Sequence, residues 1–113
     1  MSKTRKPPKL SEAAIEMIAA RFRVLSEPTR LKLLMALEEG EKNVTELVES
    51  TGATQTNVSR QLGVLAGAGL LARRKEGLSV FYHIADPGVF DMCEHVCKSL
   101  RNRFTQESGI FTE

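Results

Sequence analysis

A mainly α domain with one small β-hairpin is the fold class this sequence predicts. Apolar residues recur at helical spacing in five separate segments, and glycines fall at the joints: Gly40, Gly52 and Gly67-Ala68-Gly69. One stretch, Leu70 to Ile84, alternates in character instead and is broken at Glu76-Gly77. The chain has 113 residues, 42% hydrophobic and 27% charged, with a net charge of +2. Such a chain suits one domain with a small core, and its balance of apolar and charged residues excludes intrinsic disorder.

Each element has a local reason. Residues 1–10 carry Lys3, Arg5, Lys6, Lys9 and Pro7-Pro8 and read as a flexible basic arm. Ser11 suits a helix N-cap, and Glu12 places an acid where the helix dipole favours it. Ile15, Ile18, Phe22 and Leu25 then mark one face of a helix over 11–25. Ser26 is the expected cap of the next helix, with Pro28 in its first turn. Leu31 to Leu37 is apolar almost all round, which predicts a central core helix ended by Gly40 in a left-handed conformation.

A short helix follows over 44–50, presenting Val44, Leu47 and Val48, and Thr51-Gly52-Ala53-Thr54 makes a turn. The next helix, about 55–66, carries Val58, Leu62 and Leu65 on one face. Its other face carries Gln55, Thr56, Asn57, Ser59, Arg60 and Gln61. Strands are expected over 70–75 and 79–84, joined by a tight turn at Glu76-Gly77. Asp86 and Pro87 start a last helix, as cap and first helical residue, with a stripe of Val89, Phe90, Cys93, Val96, Cys97, Leu100 and Phe104. The polar tail from 105 to 113 is expected to fray. The order is α-α-α-α-β-β-α, with residues 11–104 as the domain.

Composition removes several classes of function. No run approaches the roughly 20 apolar residues of a spanning helix. The basic N-terminal residues have no apolar segment behind them, so a secretory signal is not expected. With two cysteines, a reducing cytoplasmic setting is the expectation. Catalysis is not expected: the sequence has no Ser/His/Asp arrangement, no phosphate-binding glycine loop and no paired acids in a polar setting.

The order of the charges is more informative than their sum. Glu38, Glu39, Glu41, Glu46 and Glu49 crowd one segment. From Ser50 to Lys75 there is no acid, while Arg60, Arg73, Arg74 and Lys75 are basic. That asymmetry suits an anionic partner.

The helices either side of Gly52 form a helix-turn-helix, and a protruding second helix fits the DNA major groove. Asn and Gln can pair bidentately with adenine and Arg with guanine, while Ser and Thr reach phosphate or base. The predicted DNA contacts are therefore Gln55, Thr56, Asn57, Ser59, Arg60 and Gln61. Arg73, Arg74 and Lys75 of the hairpin form a basic wing on the phosphates or in a minor groove. The fold is then a winged helix-turn-helix, and the partner double-stranded DNA. The alternative is a winged-helix protein-interaction module without specific DNA binding, which would need neither Arg60 nor the basic wing.

The same residues carry a family resemblance. Leu25-Ser26-Glu27-Pro28-Thr29-Arg30-Leu31 resembles the L-S-x-P-T-R-L segment of the ArsR/SmtB family of bacterial winged-helix repressors. Val58-Ser59-Arg60-Gln61-Leu62, Leu65 and Ala68-Gly69-Leu70 are similar to that family's V-S-x-H-L-x-x-L-x-x-A-G-L, with Gln61 where His is usual. Arg74, Glu76-Gly77, Val80 and Tyr82 resemble its wing. The resemblance implies a homodimer built on the first and last helices, bound to a roughly palindromic operator and released from it when an inducer binds. The family's metal sites do not carry over. Asn43-Val44-Thr45-Glu46-Leu47 has no cysteine, and the last-helix site aligns with Asp86, Gly88, Cys97 and Leu100.

Cys93 and Cys97 remain as a candidate inducer-sensing pair. At i and i+4 they share a helix face, so both sulfurs could meet an oxidant, a persulfide or, less favourably, a soft metal or metalloid. One chain offers two of the four ligands of a tetrahedral site, and His95 lies about 160° away round the helix. Plain packing on the apolar stripe competes with sensing, because free cysteine is among the most buried residue types. His83 and His95 are expected to face solvent. Met17, Met35 and Met92 are expected to fill core or interface.

Overall fold

The computed structural model describes residues 9–104. The arm expected at 1–10 lies outside the described residues except for Lys9 and Leu10, and the tail expected at 105–113 lies wholly outside them.

Helix α1 runs Glu12–Val24, and Ser11 Oγ caps it by accepting from Ala14 N at 3.1 Å. Helix α2 runs Pro28–Glu38. Its cap is Glu27 and not the expected Ser26: Glu27 Oε1 accepts from Arg30 N at 3.0 Å. The Ser26 hydroxyl instead donates back to Arg23 O at the end of α1. Pro28 decides this, since a proline at the first helical position makes the residue before it the cap. Gly40 follows α2 with φ +144, a positive φ well outside the compact left-handed helical range.

Strand β1 (Lys42–Asn43) was not expected from the sequence. Helix α3 (Val44–Thr51) begins in a capping box, with Asn43 Oδ1 accepting from Glu46 N and Glu46 Oε1 accepting from Asn43 N. Helix α4 (Gln55–Gly67) is capped by Thr54, strands β2 (Leu71–Glu76) and β3 (Ser79–Ile84) follow, and α5 (Gly88–Phe104) closes the described chain. Helix α5 starts one residue later than expected. Asp86 still serves its start, its Oδ1 accepting from Gly88 N at 3.1 Å.

The sheet is antiparallel in the order β1-β3-β2, so the expected hairpin has a third, two-residue edge. Lys42 faces Tyr82 and Asn43 faces Phe81 across β1 and β3. In the hairpin, Leu71 pairs with Ile84 and Glu76 with Ser79. The turn is therefore Gly77-Leu78, one residue beyond the expected Glu76-Gly77, with Gly77 at φ +63. Leu78 at its tip is fully exposed.

The core is made by Leu33, Leu34 and Leu37 of α2, Leu47 of α3 and Val58, Leu62 and Leu65 of α4. Leu70, Leu71, Tyr82 and Val89 complete it. Helix α1 buries none of its residues and exposes Ile15, Met17, Ile18 and Phe22. Its polar anchor is Arg21, whose Nη1 pairs with Asp86 Oδ2 and whose Nη2 donates to Ala68 O, both at 3.3 Å. Among the described residues, no helix is long and apolar enough to cross a membrane.

Candidate nucleic-acid interface

The helix-turn-helix is built as its residues require. Gly52 ends α3 at φ 75, ψ 5, a left-handed conformation that costs an L-residue energy, and its N–H donates to Val48 O at 2.9 Å. Leu47, Val58 and Leu62 are all fully buried and fix α4 against α3. That packing turns the opposite face of α4 outward.

Gln55, Thr56, Ser59 and Arg60 lie on that outward face and are exposed. Asn57 is half-buried. Gln61 departs from the expected exposed face, being only 8% exposed. Its Oε1 accepts from Arg30 Nε at 2.7 Å and its Nε2 donates to Asn57 Oδ1 at 3.1 Å. Asn57 Oδ1 also accepts from Arg60 Nη2 at 2.9 Å. The physical reason is helical geometry: residue 61 lies three positions after Val58 and one before Leu62, on the flank of the buried stripe. A glutamine there is buried with both ends of its amide paired. Arg30 was not expected at this site, although it lies in the Pro28-Thr29-Arg30-Leu31 segment.

The wing divides its basic residues by strand alternation. Arg73 and Lys75 are exposed on one face of β2, opposite Tyr82 and Val80. Arg74 is on the other face and is not an unengaged cation. It donates to both oxygens of Glu41, Nη2 to Oε1 at 2.8 Å and Nε to Oε2 at 3.0 Å, and its Nη1 reaches Glu76 Oε1 at 2.8 Å. Its guanidinium lies 4.9 Å from the centre of the Phe81 ring. Two carboxylates thus offset a charge expected to serve the duplex. The hydrogen bonds from Arg74 hold Glu41 below the usual carboxylate range, against a smaller opposing effect of desolvation. His83 is exposed, as expected, with Nδ1 3.8 Å from Glu41 Oε2. No sequence signal marked Glu41, because its partner is 33 residues away.

Cys93 and Cys97 are both free and half-buried. They line an apolar groove of about 480 Å³ with Phe22, Leu31, Met35 and Leu100, between α1, α2 and α5. Burial pushes the Cys93 thiol up, and the carboxylate of Glu38 adds to the rise. Cys97 Sγ accepts from Arg101 Nη2 at 3.7 Å. No group of three His, Cys, Asp or Glu side chains able to hold a metal occurs among the described residues. The pair therefore supplies two soft ligands and no third. His95 faces solvent as expected, and Met17 and Met35 are exposed while Met92 is half-buried.

Comparison with known proteins gives these features a context. Residues 27–73 match the model of the family described as bacterial regulatory protein, arsR family. The chain is 37% identical over 83 residues to an uncharacterized HTH-type transcriptional regulator of Mycobacterium tuberculosis, Rv0081, covering 73% of each chain. The crystal structure of Rv0081 superposes with a TM-score of 0.75 at 33% identity, over 85% of this chain and 97% of that one. The AntR antimony-specific transcriptional repressor superposes with a TM-score of 0.77 at 30% identity, over 90% and 93%. A homodimeric winged helix-turn-helix DNA-binding domain from Mycobacterium bovis, Mb0332, superposes with a TM-score of 0.71 at 26% identity, over 88% and 95%. With the helix-turn-helix and its wing in place, the chain belongs to the ArsR family and is a winged helix-turn-helix, DNA-binding transcriptional regulator, not an enzyme.

Proposed function

We propose that the protein is a homodimeric repressor that sets α4 of each protomer in the major groove of a roughly palindromic operator and leaves it when an inducer binds. The observation that carries this reading is the outward polar face of α4, with Gln55, Thr56, Ser59 and Arg60 exposed beside the basic wing. Two helices spaced by a two-fold axis would read half-sites about one helical turn apart or a multiple of it. Dimerisation is supported by the unburied apolar residues of α1, by Val96 and Leu100 of α5, and by the homodimeric Mb0332 domain. The test is anisotropy titration of a labelled duplex recovered from upstream of the protein's own gene, with mass measured in solution. Salt-sensitive, sequence-dependent binding of two protomers per site is expected. A monomeric protein, or one that binds all duplexes alike, would overturn the reading.

A second reading concerns the inducer, and the groove that both sulfurs line favours it. Here Cys93 and Cys97 answer to an oxidant or a persulfide, or hold a soft metal or metalloid. The AntR repressor is described as antimony-specific, which supports the metalloid version. A metal held by this pair needs further ligands, and a second pair from the partner protomer would supply them. A double Cys93→Ser/Cys97→Ser variant is expected to stay on its duplex when the wild type is released by oxidant, persulfide or arsenite. Normal release of the variant would overturn the sensing role.

A further inference from the structure

We infer that Gln61, held by Arg30, fixes the Asn57 amide with its oxygen taken up by Gln61 and Arg60, so that Asn57 and Arg60 meet the duplex as donors only and read guanine. This specificity rests on the DNA-reading role of α4 proposed above.

The donors and acceptors along the chain of contacts set the orientation of each amide. A guanidinium has donors and no acceptor. Arg30 Nε, 2.7 Å from Gln61, can therefore face only its oxygen. Arg30 is itself held by Nη1, which donates to Val24 O at 3.0 Å and Arg23 O at 3.4 Å. With Oε1 committed, the other end of Gln61 is an NH₂, and at 3.1 Å it can face only the oxygen of Asn57. Arg60 Nη2, again a donor, meets the same oxygen at 2.9 Å. Two donors occupy both lone pairs of Asn57 Oδ1.

Bidentate pairing of Asn with adenine needs that oxygen to accept from N6 while Nδ2 donates to N7. Here the oxygen is already used, and the NH₂ is what Asn57 has left. Arg60 adds its remaining N–H groups from the neighbouring turn of the same face. A surface of donors matches the base edge that offers only acceptors, guanine N7 and O6. Residues 57, 60 and 61 thus act as one unit. Gln61 is a positioning residue that shapes recognition from beneath the surface.

Selection from a randomised duplex pool with the full chain tests this, followed by competition among single-base variants. Asn57→Ala locates the base pair that depends on Asn57. In the wild type that position is expected to be guanine, favoured over adenine by about tenfold or more. Gln61→Glu keeps an acceptor for Arg30 but has no hydrogen to give Asn57. The Asn57 amide then turns over, presents its oxygen outward, and the preference moves to adenine N6 or cytosine N4. Adenine at that position in the wild type, or an unchanged preference in Gln61→Glu, would overturn the inference and leave DNA reading intact. No enriched sequence at all would overturn DNA reading and the inference with it. If Gln61→Glu does not fold, hydrogen exchange of the side-chain amides in the wild type decides. Protected Gln61 Nε2 protons beside fast-exchanging Asn57 Nδ2 protons support the relay, and bulk exchange at Gln61 overturns it.

Discussion

The guanidinium of Arg74 is clamped by the carboxylate of Glu41 through two hydrogen bonds, one to each oxygen, 2.8 and 3.0 Å long. Arg74 stands on β2 and Glu41 just before β1, so the clamp crosses the sheet over Phe81 of the middle strand. It ties the wing to the segment that leads into α3.

The clamp separates the wing's basic residues in their response to salt. Arg73→Ala and Lys75→Ala are each expected to flatten the slope of log affinity against log salt by about one, because each removes a phosphate partner. Arg74→Ala should change the slope less and instead loosen the wing. Anisotropy titrations over a series of salt concentrations measure this. Equal slope changes for all three variants would show that Arg74 also reaches the phosphates.

Acid should open the clamp. The carboxyl of Glu41 is held below its ordinary value in the folded protein. Its contribution is therefore present above the ordinary carboxylate range and is lost as pH falls through the lowered value. The side-chain carboxyl resonance of Glu41 should titrate below that of a free glutamate, and Arg74→Ala should bring it back. Titration at the ordinary value in the wild type would show that the clamp does not persist in solution.

Arg60→Ala removes a donor from the exposed face of α4. A loss of about 1–3 kcal/mol in binding to the preferred duplex is expected, with a much smaller loss on unrelated duplexes. Equal losses on both would assign Arg60 to the phosphates and not to a base.

The scaffold behind α4 should be sensitive to truncation. Leu62 is fully buried between α3 and α4, and Leu62→Ala is expected to cost about 2–5 kcal/mol in urea unfolding. Gly52→Ala should cost about 1–2 kcal/mol from backbone strain alone, since nothing lies within 4 Å of where its Cβ would be.

The thiol of Cys93 should be sluggish. Burial and Glu38 push it above the ordinary thiol range, so less of it is thiolate near neutrality. Alkylation of Cys93 is expected to be slower than that of an unstructured cysteine peptide at pH 8, with the gap closing as pH rises. Mass spectrometry of the modified peptides reads both cysteines at once.

Much of the fold was legible because its causes are local. The cap at Ser11, the glycine at 52, the apolar run of α2 and the leucine spacing of α4 act within a few residues of themselves. Strand β1 was not legible, since two residues have no periodicity and Lys42-Asn43 is a strand only by pairing with Tyr82 and Phe81. The helix cap at Glu27 was legible in principle, because Pro28 dictates it. The interface shows the same division. The exposed residues Gln55, Thr56, Ser59 and Arg60 follow from the helical repeat. What Gln61 and Arg74 do is set by Arg30 and Glu41, which lie 31 and 33 residues away.

Helix α1 stays wet along its apolar side within a single chain, and 13 residues are marginal as an isolated helix. In the proposed dimer, ordering this helix and finding a partner are coupled, so its stability obeys mass action. The midpoint of thermal unfolding should then climb with protein concentration. At low copy number the first helix would melt before the leucine core does. The amount of protein present would thus set how much of it has the architecture to hold two half-sites at once.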